Sequence, residues 1–205
     1  MRDTIFDISH WQGDVDFEQA RMAGMEAVIC KATQGLEGFD NMFGHNVEQA
    51  QKAGLLVGAY HFGTGDPGDK QADHFLKTIS TRSGMLLVLD FEENKDSQMT
   101  VTDALDFVLV IQEQAGVWPV VYANRSYATM LSGSKTIVNN CPLWYASYRD
   151  IGNPPAPPAG WSKGYTLWQY RQDGKLGGVA GDVDRDAFCG ADLKQWWDAY
   201  STKGE

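Results

Sequence analysis

Long apolar runs are missing from this sequence. The longest, Met85-Leu86-Leu87-Val88-Leu89, falls far short of the roughly 20 residues that cross a bilayer, so no membrane insertion is expected. The opening residues Met1-Arg2-Asp3-Thr4-Ile5-Phe6-Asp7 lack the apolar stretch of a secretory signal. The chain is therefore expected to stay in the cytoplasm, to leave by another route, or to have had a signal trimmed. Cysteine is scarce. Cys30, Cys141 and Cys189 are an odd number without a C-x-x-C, which argues against a disulfide framework and against a zinc site. Buried free thiols are the expectation. Basic residues are outnumbered, 17 Lys and Arg against 27 Asp and Glu, for a net charge of −10. Tight non-specific nucleic-acid binding needs clustered cations, so nucleic acid is set aside as a partner. There is no G-x-S-x-G, no P-loop and no G-x-G-x-x-G, and the four histidines show no ligand spacing. No metal and no cofactor are expected.

What is present is an ordinary globular composition, 43% hydrophobic and 21% charged over 205 residues. That length suits one closed α/β barrel able to bury a core without cross-links. Five strand-then-helix units can be read in order. Strands are expected at residues 4–9, 26–33, 55–62, 85–92 and 119–123. Helices follow at about 16–24, 41–53, 71–79, 100–115 and 126–131. The fourth strand is almost continuously apolar, as in a parallel strand covered on both faces. Thr100 and Asp103 form a capping-box-like start, and Gly54 sits where a glycine ends a helix. Then the rhythm changes. Strands are expected at 143–147, 165–170 and 181–188, with no amphipathic helix between them and a closing helix at about 191–200. The expected fold class is α/β: a single TIM-like barrel over residues 1–205, with eight mostly parallel strands and five interleaved helices.

In βα barrels the chemistry gathers at the C-terminal ends of the strands. Four acids fall there in this reading: Asp7 in the first strand, Asp90 and Glu92 ending the fourth, and Asp184 in the last. Barrel closure makes the first and last strands neighbours, which brings Asp7 to Asp184. Residues i and i+2 of a strand share a face with Cα atoms roughly 6.6 Å apart, so Asp90 and Glu92 point together into the mouth. Adjacent carboxylates push one another's protonation apart. One acid that keeps its proton beside one carboxylate is the equipment of a glycosidase. Asp182 and Asp186 have the same strand parity as Asp184, so parity alone does not select among the three. Asp14 and Asp16 read as helix caps. His10 and His61 follow strand ends and read as hydrogen-bonded structural residues.

The segments around these acids resemble the glycoside hydrolase family 25 lysozymes, the Chalaropsis-type muramidases. They run, in order, Phe6-Asp7-Ile8-Ser9-His10-Trp11-Gln12-Gly13, Cys30-Lys31-Ala32-Thr33-Gln34-Gly35, Gly58-Ala59-Tyr60-His61-Phe62 and Leu89-Asp90-Phe91-Glu92. Val121-Tyr122-Ala123-Asn124, Leu143-Trp144-Tyr145-Ala146-Ser147-Tyr148, Leu167-Trp168-Gln169-Tyr170 and Val183-Asp184-Arg185-Asp186-Ala187-Phe188 follow. The resemblance implies an eight-stranded, five-helix barrel that hydrolyses the β-1,4 bond between N-acetylmuramic acid and N-acetylglucosamine in peptidoglycan. It implies Glu92 as general acid, Asp90 as its partner, and Asp7 and Asp184 as flanking acids, with Asp184 preferred over Asp182. Tyr60, Tyr122, Tyr145 and Gln169 are implied as groove residues. Family patterns usually end in V-D-x-N-x-F. Here Asp186 stands in place of the Asn and adds negative charge beside Asp184.

Two rivals are weighed against this. The family 18 chitinases end their fourth strand in D-x-x-D-x-D-x-E, and here Met85 and Val88 hold the two upstream acid positions. A non-catalytic peptidoglycan- or chitin-binding barrel would keep the aromatics and lose the acids, yet all four are present. The expected partner is the peptidoglycan glycan strand, engaged by a monomer without a separate wall-binding module. The expected setting is that of a phage endolysin, cytoplasmic until released to the wall, with a secreted enzyme as the alternative. The expected mechanism is retaining, with the substrate's own N-acetyl oxygen as nucleophile, and an inverting route in which Asp7 or Asp184 activates water is the alternative.

Overall fold

Alternation decides the architecture. Along each buried strand one set of side chains faces inward and the other meets a layer of helices, and both sets are apolar. The computed structural model describes residues 1–80 and 83–204. Nine strands are seen there: β1 (Arg2–Ile8), β2 (Ala27–Gln34), β3 (Gly38–Phe39), β4 (Leu56–Phe62), β5 (Leu86–Asp90), β6 (Val120–Asn124), β7 (Leu143–Ala146), β8 (Leu167–Gly174) and β9 (Val183–Phe188). The helices are α1 (Phe17–Met22), α2 (Phe43–Lys52), α3 (Gly68–Ile79), α4 (Val101–Ala115), α5 (Arg125–Leu131), α6 (Lys135–Asn140) and α7 (Leu193–Tyr200). Eight strands run β1-β9-β8-β7-β6-β5-β4-β2 and close through a β1–β2 pairing, while the two-residue β3 pairs only with β2.

This corrects the expected fold class in two respects. The barrel is mixed rather than mostly parallel throughout, because β9 runs antiparallel to both neighbours, β8 and β1. Only residues 175–182 separate β8 from β9. A parallel return needs a crossover of a dozen or more residues, whereas an antiparallel one needs only a turn. There are also seven α-helices among the described residues, not five: α7 is the closing helix already expected, and α6 is additional. The added α6 is six residues rich in Thr, Ile, Val and Asn, too short and too poor in helix formers to show a periodicity. It begins on Ser134, whose hydroxyl accepts from the Ile137 N–H at 3.4 Å. The fourth strand also ends at Asp90 rather than at residue 92. Other local signals agree with the structure. Thr100 and Asp103 form a reciprocal capping box at the start of α4, and that helix stops at Gly116 with φ 71°.

Two apolar layers result. Outside the barrel, Leu87, Leu89, Phe75, Phe107 and Ile111 pack strands against helices. Inside, Ile5, Ile29, Val88, Val120 and Leu167 fill the lumen together with Leu193 and Trp197 of α7. Trp197 donates its indole N–H to the Gly84 carbonyl, and Met85 and Thr202 bond reciprocally. Helix α7 therefore seals the end of the barrel where β5 begins and leaves the opposite end open. Trp197 is fully buried. Trp197→Ala should lower unfolding free energy by about 3–5 kcal/mol, because it opens a cavity in the lumen. Chemical denaturation measures this, and a loss under about 1 kcal/mol would mean that α7 is not part of the core.

Candidate active site

The open end of the barrel is acidic because β1 and β5 end there and β9 begins there. Asp7 lies one residue from the end of β1, and its register partner on β9 is Asp184. The sequence reading set Asp184 among C-terminal strand ends. It stands instead at the start of β9, and the reversed direction of that strand brings its beginning to the same mouth. Asp90 is the last residue of β5. The Phe91 N–H then donates to the Tyr122 carbonyl at 2.9 Å, so the chain stays extended one residue further. Phe91 turns outward against the Tyr127 ring, and Glu92 returns to the cleft. Gln98 fixes the outgoing chain by donating to the Glu92 carbonyl at 3.1 Å.

These four acids line one cleft of about 310 Å³. Tyr60, Tyr122 and Gln169 line it too, as the sequence reading expected. Tyr145 does not. It lies on the outward face of β7, fully buried, with the Tyr165 ring 5.4 Å away and the Arg125 guanidinium over its own ring. Its strand neighbour Trp144 takes the cleft position instead, and Tyr148 and Gln172 complete the wall. Trp144 was legible in principle. It pairs with Tyr122 across β6 and β7, so naming Tyr122 as inward-facing names Trp144 rather than Tyr145 once the register is known. Tyr148 lies beyond the end of β7, and Gln172 lies where irregularities in the β8–β9 register break the parity of β8.

A hydrogen-bonded chain organises one wall. Tyr122 and Tyr148 both donate their hydroxyls to Gln169 Oε1, at 2.8 and 3.1 Å, and Gln169 Nε2 donates to Asp7 Oδ2 at 2.8 Å. Gln169 thus has its amide orientation set by its partners. Burial is the main influence on every carboxyl. It raises Asp7 well above the ordinary carboxylate range, helped by the charges of Asp184 and Asp186. Burial and then the charge of Glu92 raise Asp90 in the same way. Glu92 is raised mainly by burial, against the pull of Lys31. Asp184 is raised to about 6, by burial and then by Glu92. Half-buried Tyr60 and buried Tyr122, set among these acids, are pushed up and stay phenolic. One Asp90 oxygen, Oδ1, is buried without a hydrogen-bond partner. A cleft whose carboxyls all hold their protons more tightly than usual can donate a proton from one and, with another ionised, stabilise a developing cation.

The three same-parity aspartates separate cleanly. Asp182 is on the surface and pairs with Lys175 at 2.6 Å. Asp184 faces the cleft, and Asp186 is fully buried beneath it. His10 bonds Asp40 at 2.8 Å, while His61 is buried between Thr33 and Gln71 at 2.8 and 3.0 Å. Both serve structure.

Residues 6–179 match the model of the glycosyl hydrolases family 25. The chain belongs to that family. Lysozyme M1 of Streptomyces globisporus is 33% identical over 200 residues, covering 90% of this chain and 67% of that protein. The autolytic lysozyme of Clostridium acetobutylicum is 30% identical, covering 89% of this chain and 54% of that protein. The chain thus spans between about half and two thirds of these relatives. Among solved structures, the lysozyme of Streptomyces coelicolor superposes with a TM-score of 0.87 at 31% identity, covering 97% of this chain and 98% of that one. The muramidase of Acremonium alcalophilum superposes at 0.83 with 30% identity, covering 96% and 99%.

The cysteines of this family 25 chain stand apart from the cleft. Cys30 and Cys141 are buried, Cys189 is half-buried, and all three are free. Burial pushes each thiol up, Cys189 to about 11, so none is a ready nucleophile. A triple Cys→Ala variant should keep the specific activity of its folded fraction within about twofold, whatever it loses in stability through core packing. Activity that depends on oxidant or reductant would contradict this.

Proposed function

We propose that this chain is a lysozyme that hydrolyses the β-1,4 bond between N-acetylmuramic acid and N-acetylglucosamine in peptidoglycan. Glu92 is the general acid and Asp90 its partner. The observation that carries the assignment is the Asp90–Glu92 pair, both turned into one cleft, with the deeper of the two presenting an unpartnered oxygen.

The pair rises from one strand end and meets the sugar from one side. A double displacement needs its nucleophile on the opposite face from the acid, with the carboxyls about 5–5.5 Å apart. The substrate's own acetamide fits better as nucleophile. Its N–H donates to Asp90 and its oxygen attacks the anomeric carbon, while Glu92 protonates the leaving oxygen. Asp90 then stabilises the oxazolinium-like intermediate, which water opens with retention while giving its proton back to the Glu92 carboxylate. In the free protein Asp90 is the more deeply buried of the two. An acetamide N–H bonded to it favours its ionised form and leaves Glu92, nearer solvent and the leaving group, as the protonated acid. Asp7 and Asp184 shape the cleft and tune the pair. The chain's own residues line the whole described cleft, and we propose that it acts on a glycan strand as a monomer.

Asp90→Asn tests the coupling. Removing a like charge lowers the affinity of Glu92 for its proton, so the alkaline limb of the pH–rate profile should move to lower pH. The pair titrates as a unit, and the macroscopic profile is what is read. Residual activity with an unshifted profile would contradict coupling. The reading as a whole is tested on purified peptidoglycan. Release of reducing ends is expected, and binding with a zero rate would favour the sugar-binding barrel.

A further inference from the structure

Beneath the four cleft acids lies a fifth carboxyl that the mechanism does not use. Asp186 is fully buried on β9. Its Oδ1 accepts the Trp144 indole N–H at 2.7 Å. Its Oδ2 is buried and has no donor. The register explains what it faces. Asp186 pairs with Ile5 of β1 and Gln169 of β8, and Asp184 pairs with Asp7. Ile5 and Asp7 share a face of β1, so Asp186 is the diagonal neighbour of Asp7, within side-chain reach. Asp7 Oδ2 is already taken by Gln169 Nε2. Two carboxyls thus meet, each holding one N–H donor on one oxygen. If both were ionised, two acceptors would face one another with nothing between them, at the cost of a buried unpaired charge. A proton between them satisfies both.

We infer that Asp7 and Asp186 share one proton, Asp7 donating it to Asp186 Oδ2, so that Asp186 is a positioning residue that keeps Asp7 uncharged. Each carboxyl has one N–H donor, so the direction follows from Asp184, which pairs directly with Asp7 across β1 and β9 and disfavours a charge there, whereas Asp186 stands opposite Ile5. The surroundings agree. Burial dominates for both groups, and the contact between them holds the proton on Asp7 and eases ionisation of Asp186. The other charged or titratable groups around the pair are Asp184 on β9 and Asp3 on β1, with Tyr60 of β4, Tyr122 of β6 and Tyr148 near Asp7, and Cys30 on the outward side of β2. Asp3 is ion-paired to Arg185 at 2.8 Å, and Glu92 acts on Asp184 from across the cleft. A neutral Asp7 cannot serve as the base that activates water in an inverting reaction. The catalytic consequence rests on the proposed activity, whereas the shared proton does not.

An Asn at position 186 would offer its own N–H to Asp7 and its carbonyl to Trp144, leaving Asp7 ionised without a proton between them. The test counts carboxyl protons by ¹³C titration of Asp-labelled protein near pH 7, with no substrate present. Wild type should hold one aspartate proton that Asp186→Asn lacks. Asp7→Asn should lack it as well, and the double variant should be short of one proton rather than two. A second reading uses thermal stability. A carboxyl whose folded pKa is raised makes stability fall as pH rises from its unfolded value toward its folded one. Asp186→Asn should flatten that fall by up to one proton. Unchanged titrations in both single variants, or the loss of two protons in the double, would overturn the inference while leaving the lysozyme assignment untouched.

Discussion

Glu92→Gln should reduce peptidoglycan hydrolysis by about 10²–10⁴-fold, the range that general acid catalysis supplies, while leaving the fold and its stability in place. The amide keeps the shape of the side chain and cannot deliver a proton to the leaving oxygen. Glu92 lies beyond the end of β5, in the cleft rather than in either apolar layer, so no packing is lost. The comparison to make is initial rate on purified peptidoglycan alongside a thermal melt. A variant that melts like wild type and keeps more than half its rate would remove Glu92 from the role of acid.

The second large effect concerns the substrate. Peptidoglycan de-N-acetylated at muramic acid should be nearly inert, because the nucleophile of the proposed route is the acetamide oxygen of the sugar that is cleaved. Binding can persist, since the tyrosines and Gln169 of the cleft wall still meet the ring. An effect on rate with binding retained separates the substrate's participation from simple recognition. Proton NMR of the first product is an independent check. Retention gives the β-anomer first, and an initial α-anomer would instead indicate direct attack by water. Normal turnover of the de-N-acetylated material would contradict participation outright.

Much of this site was legible before any coordinates. The Leu89-Asp90-Phe91-Glu92 segment follows a buried run, and period-two alternation alone turns both acids to one face. Closure of the barrel brings Asp7 to Asp184, and the register pairs those two residues. What was not legible has physical causes. Strand direction is invisible in a hydrophobic pattern, so the expectation of a mostly parallel barrel does not single out β9 as antiparallel, although the start of that strand still delivers Asp184 to the mouth. The choice between Trp144 and Tyr145 depends on register, since both are large aromatics on a short strand buried on both faces. Helix α6 has too few residues for a periodicity to emerge. The separation of Asp182, Asp184 and Asp186 into surface, cleft and interior needed the height of each residue along the barrel axis, which parity does not encode.

The central claim is the identity of the bond cleaved, and the products of purified peptidoglycan analysed by mass spectrometry report it directly. The account predicts fragments whose reducing ends are N-acetylmuramic acid. Fragments ending in reducing N-acetylglucosamine would make the enzyme a glucosaminidase and contradict it.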